Sequence, residues 1–142
     1  MPVKAIPDNF PRVSPYLIVK DVDTLINFLT NVFDAELQER MTLKDGTVNH
    51  ASVRIGNSVI MMGRSNEDYS PQKSMLYIFV EDIDSVYKKA LNNGAESIME
   101  PADQIYGDRN AAVKGPSGNS WWMASRVEEV STEEIERRNK ER

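Results

Sequence analysis

His50, in the run "TVNHASVRI" from Thr47 to Ile55, is the one imidazole in a chain that has no cysteine. A histidine on a strand that faces a cavity can act as acid, base or hydrogen-bond donor near neutral pH. The ordinary alternative is a partly buried strand histidine bonded to a neighbour. One histidine cannot hold a catalytic zinc alone, because such sites take three protein ligands. Without cysteine, disulfides, thiolate catalysis and zinc–thiolate sites are all excluded. Tyr106-Gly107-Asp108-Arg109 is a second candidate. Arg109 could grip a carboxylate or phosphate through two parallel hydrogen bonds. Its alternative is an internal ion pair, to Asp108 or to a glutamate, that orders the loop. Trp121 and Trp122 are adjacent on a strand, so they face opposite ways. A cavity-facing Trp122 would stack on a planar ligand, and Met61, Met62, Met75 and Met99 would form an adaptable apolar lining if turned inward. The same residues serve equally as ordinary core. No nucleophile elbow, phosphate loop or dinucleotide fingerprint occurs.

The elements that must position these residues occur twice. "GNSVIMM" at Gly56–Met62 returns as "GNSWWMA" at Gly118–Ala124. Further upstream, Val19, Asp21, Asp23 and Asn31 fall on Val80, Asp82, Asp84 and Asn92 at a constant shift of 61 residues. Two modules of about 60 residues follow, with boundaries near 12–65 and 74–126, a polar linker at 66–73 and a tail at 127–142. In each module a short β-branched and aromatic run predicts a strand, Tyr16–Val19 or Leu76–Val80. Asp23 or Asp84 then occupies the expected helix N-cap, with Val22 or Ile83 before it as a hydrophobic staple. The first helix carries Leu25, Phe28, Leu29, Val32 and Phe33 on one face. The second carries Val86, Ala90 and Leu91, with Tyr87 beside them, and stops at Gly94. "LQERMTL", "TVNHASVRI" and "SVIMMG" predict strands joined by the turns Lys44-Asp45-Gly46 and Gly56-Asn57. "NAAVK" and "SWWMAS" match them in the second half. The expected class is α+β, two βαβββ modules. In the tail, Ser131 and Glu134 form a capping box, with Glu133/Arg137 and Glu134/Arg138 as helical ion pairs.

The bulk numbers fit one small globular domain. The chain has 142 residues, 40% hydrophobic and 27% charged, with net charge −5. A chain this long buries roughly two-thirds of its unfolded surface, so it needs no disulfide or metal for stability. An acidic surface repels phosphate backbones, which argues against nucleic-acid partners. No apolar run approaches the roughly 20 residues that cross a bilayer, and no membrane partner is expected. The N-terminal "MPVKAIPDNFP" lacks the apolar stretch of a signal peptide, and the cytoplasm is the expected compartment.

The tandem βαβββ pattern, "VKDVD" opening a helix and "GPSGNSWW" closing the second module, resembles the vicinal oxygen chelate superfamily. That group contains glyoxalase I, the fosfomycin and bleomycin resistance proteins and extradiol dioxygenases. The ending "YGDRNAAVKGPSGNSWWMASRVEEVSTEEIERR" looks more narrowly like the PhnB-like, glyoxalase-like branch, with Gly115 where an Asp is usual and Asn119 where a His is usual. The resemblance implies that each sheet curls into half a barrel around a cavity, and that the protein is a homodimer. Metal enzymes of the superfamily place His, Gln or Glu at matching points of both modules. Those points are occupied here by Ser14, Ile60, Met75 and Trp122, none of them a ligand for a divalent ion. The implied protein is therefore metal-free, with no cofactor, binding a small molecule through Trp122, Ile60, Met62, Met75, Tyr106 and Arg109. The rival reading is a lyase, isomerase or dioxygenase that uses His50 or an unexpected metal site. A third is a dimerisation module without a ligand.

Overall fold

The computed structural model describes residues 3–142. Met1 and Pro2, the start of the segment read above for a signal peptide, lie outside the described residues. Eleven elements alternate along the chain. They are β1 (Tyr16–Val19), α1 (Val22–Phe33), β2 (Glu36–Thr42), β3 (Val48–Ile55) and β4 (Ser58–Arg64), then β5 (Met75–Phe79), α2 (Ile83–Asn92), β6 (Glu96–Asp103), β7 (Asp108–Lys114) and β8 (Ser120–Arg126), and last α3 (Thr132–Lys140). This is the α+β, twice-repeated βαβββ architecture expected from the sequence. The chain forms two compact units, Met1–Ser74 with Pro116–Gly118 and Met75–Gly115 with Asn119–Arg142.

Each unit holds one four-stranded sheet, ordered β1-β4-β3-β2 in the first and β5-β8-β7-β6 in the second. In both, the first strand runs parallel to the last and the remaining pairs are antiparallel. The crossover helix covers one face. In unit 1 the register places Leu17, Met62 and Ala51 side by side, with Ile60 opposite Val53. All five are at most 5% exposed. Arg40, opposite Ala51, bonds to Asp23 of α1 at 3.0 Å, which fixes this as the helix-covered face. In unit 2, Val113 and Trp121 pair on the corresponding face, and Ser97 opposite Val113 accepts the Tyr87 hydroxyl of α2 at 2.7 Å. Burying such apolar side chains contributes roughly 1.5–3 kcal/mol each and holds helix to sheet.

The helix ends depart from expectation in one respect. The N-caps are Asp21 and Asp82, whose carboxylates accept from Thr24 N and Ser85 N at 3.2 Å, and not Asp23 and Asp84. Asp21 and Asp82 are extended, with φ of −133° and −131°, the backbone that lets a carboxylate turn back onto the third amide. Asp23 and Asp84 sit inside the first turn, where a negative charge favours the helix dipole. Val22 and Ile83, expected as staples, are the first helical residues and are buried. The buried stripe of α1 contains all five expected residues. That of α2 is Ile83, Tyr87 and Ala90, while Leu91 is 38% exposed, so the stripe lies slightly around the helix from the one expected. The positive φ of Gly94, 92°, ends α2, and Asp34 takes the same left-handed role after α1 at φ 56°. In the tail, Ser131 accepts from Glu134 N at 3.1 Å, but the Glu134 carboxylate turns to Arg137 and Arg138 rather than back to the cap. Arg137 pairs with Glu134 and Glu141, not Glu133.

Candidate functional site

The helix-free face of unit 1 brings together residues from three adjacent strands. Tyr16 on β1 lies in register with Met61 on β4, and Met61 with Ser52 on β3. One step along, Ile18, Gly63 and His50 are in register. Tyr16 lies across Gly63 to reach His50: its hydroxyl is 3.0 Å from His50 Nδ1, and the two rings stack at 5.7 Å between centroids and 29° between planes. Gly63 makes this possible. A Cβ on it would stand 2.7 Å from the tyrosine hydroxyl and 3.0 Å from the ring carbon Cε1. Ser52, fully buried beside them, has a hydroxyl without a hydrogen-bond partner. A cleft of about 550 Å3 opens at this end of the unit, lined by Tyr16, Ile18, Asn49, Gly63, Arg64 and Tyr69 among others. That volume is in the range of small-molecule sites.

The corresponding face of unit 2 is built differently. Tyr77 is the counterpart of Tyr16, in register with Trp122, which pairs with Ala112. Ala124 and Asn110 stand where unit 1 has Gly63 and His50. Tyr77 donates to Asp108 Oδ2 at 3.3 Å, and Arg126 Nε donates to Asp108 Oδ1 at 2.6 Å. Asp108 is 3% exposed, and Arg126 neutralises its buried charge. Burial first, then the neighbouring Tyr106 and Asp108, push the Tyr77 phenol above its usual range, against a hydrogen bond with Asn110 that lowers it. Asn110 also donates to the Tyr106 hydroxyl at 2.7 Å.

The residues expected from the sequence divide between these surfaces. His50 is on the helix-free face of unit 1, half-buried. Met75, 64% exposed, and the half-buried Trp122 are on the helix-free face of unit 2. Ile60 and Met62 lie under α1, at 5% and 0% exposure. The repeated "GNS" pairs Ile60 with Trp122, whereas the ladders pair Met61 with Trp122, because Tyr16 meets Met61 and Tyr77 meets Trp122. Arg109 is held by Asp84 at 3.0 Å and Asp103 at 3.2 Å on the helix-covered side, and Asp108 takes Arg126 instead. These bonds, Asp84's first, raise the Arg109 pKa further. Tyr16 and Gly63 were not singled out from the sequence. The available signal was the exact return of Tyr16 as Tyr77 in the repeat.

The donor set does not suit a resident metal. Among the described residues, no three His, Cys, Asp or Glu side chains are grouped to hold an ion. On the helix-free faces the strand partners are Tyr16 with Met61 and Tyr77 with Trp122, and neither a thioether nor an indole replaces the imidazoles and carboxylates that divalent ions take.

Among the described residues no helix is long and apolar enough to cross a membrane. The sequence profile of the Glyoxalase/Bleomycin resistance protein/Dioxygenase superfamily matches residues 10–123. An uncharacterized protein of Mycobacterium bovis is 32% identical over 137 residues, spanning 89% of this chain and 90% of that one. Two solved structures share the fold. TioX from Micromonospora sp. ML1 superposes with a TM-score of 0.71 at 23% identity, over 82% of this chain and 99% of its own. The PhnB protein from Bacillus cereus, described as a putative 3-demethylubiquinone-9 3-methyltransferase, gives 0.67 at 20% identity, over 81% and 99%. With its paired βαβββ units and this match across both of them, the chain belongs to the glyoxalase/bleomycin resistance protein/dioxygenase superfamily.

Proposed function

We propose that this protein binds a small organic molecule without a metal, as a member of the PhnB-like branch, and that the helix-free face of unit 1 is the principal binding surface. One observation carries the reading: Tyr16, His50, Ser52 and Met61 share that face beside a cleft of about 550 Å3, yet it holds a single imidazole and no carboxylate cluster. An aromatic ring, a thioether and a few polar anchors make a surface that orients an organic ligand. Met75 and Trp122 would offer an apolar contact surface of their own on the helix-free face of unit 2. Tyr106 and Arg109 would act indirectly, ordering Asn110 and the start of α2. A fragment screen followed by amide and methyl NMR tests this. Perturbations centred on Tyr16, His50 and Met61 support it, and hits confined to the tail or to the α1 surface contradict it.

A second reading has its own support. The Tyr16–His50 bond engages one ring nitrogen and leaves the other for a substrate, the arrangement of an oriented acid–base histidine. This reading makes the protein a lyase or isomerase. Loss of turnover in His50→Gln, with ligand binding retained, is its signature.

The assembly is proposed to be a homodimer. Met75, Tyr77 and Phe79 are exposed in a row along β5, an edge strand that a second copy would cover. Sedimentation equilibrium decides between one and two chains.

A further inference from the structure

We propose that the unit 1 cleft takes a small organic acid carrying a hydroxyl or amine next to its anionic group. This deepens the reading above and rests on it. The strands contain five arginines, and Arg40, Arg54, Arg109 and Arg126 each bond to a protein oxygen at 3.3 Å or less. Arg64, at the end of β4 and on the wall of the cleft, makes no such bond among the described residues. Arg64 also borders a second cleft, lined by Lys20, Asp21 and Asp23 among others, without bonding to either carboxylate among the described residues, and its charge acts on Asp45. Asp45 is already bonded by Thr47 N at 2.9 Å, and its pKa is lowered chiefly by that bond and only in lesser part by Arg64. In a chain with 22 acidic and 17 basic residues, an uncommitted guanidinium beside a cavity is a place for an external anion.

A second group asks for the opposite partner. Asn49, also on the cleft wall, has its amide oxygen buried and without a donor. An acceptor left unbonded in this way is costly, and a ligand O–H or N–H would supply its missing donor. The remaining wall is preformed. Ser65 N bonds to Val19 O at 2.8 Å and Gln72 N to Ile18 O at 3.0 Å, which fastens the connecting loop to β1 at both ends. Within the loop, Asn66 Oδ1 accepts from Asp68 N and Tyr69 N, both at 2.9 Å, and Asn66 N donates to Tyr69 O. This holds Tyr69 on the cleft wall, with Tyr16 and Ile18 also lining it. The loop's own carboxylates, Glu67 and Asp68, do not line the cleft. An anion for Arg64, a donor for Asn49 and a ring for the two tyrosines together describe an aryl-substituted hydroxy or amino acid.

The test uses three matched probes on the full chain: 3-phenyllactate, its methyl ester and 3-phenylpropanoate. The ester lacks the charge and the propanoate lacks the hydroxyl. Phenyllactate is expected to bind about tenfold tighter than either, the factor that corresponds to about 1.4 kcal/mol. It should perturb Tyr16, Asn49, Arg64 and Tyr69. Arg64→Gln is expected to reduce phenyllactate affinity to that of the ester, and Arg54→Gln to leave it unchanged, with the amide spectra showing both variants folded. Ester and acid binding equally at Tyr16 and His50 overturns the acid assignment while leaving small-molecule binding in place. Phenyllactate binding unchanged in Arg64→Gln also overturns it, as does no perturbation of unit 1 by any probe. In that last case the fragment screen judges the wider reading separately.

Discussion

The Tyr16 hydroxyl lies 3.0 Å from His50 Nδ1, although the two residues sit on strands separated by β4. The strand between them has a glycine at the crossing point, and the tyrosine ring occupies the space of its missing side chain. The only histidine is therefore held in one orientation by a partner 34 positions away in sequence.

Gly63→Ala is expected to separate the pair. The new methyl would stand 2.7 Å from the hydroxyl, and the tyrosine, being a movable side chain, would swing aside. The stability loss should be modest, about 1 kcal/mol, the typical net value of one hydrogen bond. In the native protein, with Tyr16 donating, the ring proton should sit on Nε2. Nitrogen-15 spectra should show that tautomer in the native protein and a mixture in both Gly63→Ala and Tyr16→Phe.

The caps give a sharper stability series. Asp21→Ala and Asp82→Ala should each cost about 1 kcal/mol in chemical denaturation, because each leaves a helix amide without its acceptor. Asp23→Asn should cost less, since its carboxylate serves an exposed ion pair with Arg40 and the helix dipole.

Asp34 is the single non-glycine residue with positive φ among the described residues, and its counterpart in the second unit is Gly94. Asp34→Gly should stabilise the protein by up to about 1 kcal/mol, because glycine occupies the left-handed region without steric penalty. A rise in the thermal midpoint checks it.

The C-terminal helix should respond to acid. Glu134, bonded first by Arg137 and then by Arg138, has its pKa lowered from 4.5 to about 2. A depressed folded-state value stabilises above the unfolded pKa, so the contribution is complete above pH 4.5 and is lost as the pH falls toward about 2. The protection factors of the α3 amides, corrected for the intrinsic exchange rate at each pH, should fall across that window, and Glu134→Gln should flatten the dependence. The exposed ion pairs also predict that added salt weakens the effect.

The repeat carried most of the fold. Asp21 and Asp82, Tyr16 and Tyr77, and the two "GNS" turns return at nearly constant spacing, and each marks the same point of a βαβββ unit. The faces were less legible. Side chains alternate along a strand, so an error of one residue exchanges the two sides. The "GNS" alignment is off by one from the ladder alignment, which put Ile60 under the helix and Met61 on the helix-free face. Arg109 was expected to bind a ligand, with an ion pair to Asp108 or a glutamate as the alternative; its actual partners, Asp84 and Asp103, come from α2 and β6, and only the fold brings them together. The roles of Tyr16 and Gly63 depend on strand order, which puts β4 between β1 and β3.

The measurement that bears most directly on the whole account is metal content. Protein purified without chelator should contain far less than one equivalent of zinc, nickel, manganese or iron by plasma mass spectrometry. Its thermal midpoint and its affinity for screened ligands should be the same with and without EDTA. Near-stoichiometric metal, with ligand binding or turnover abolished by EDTA and restored by that ion, would contradict it.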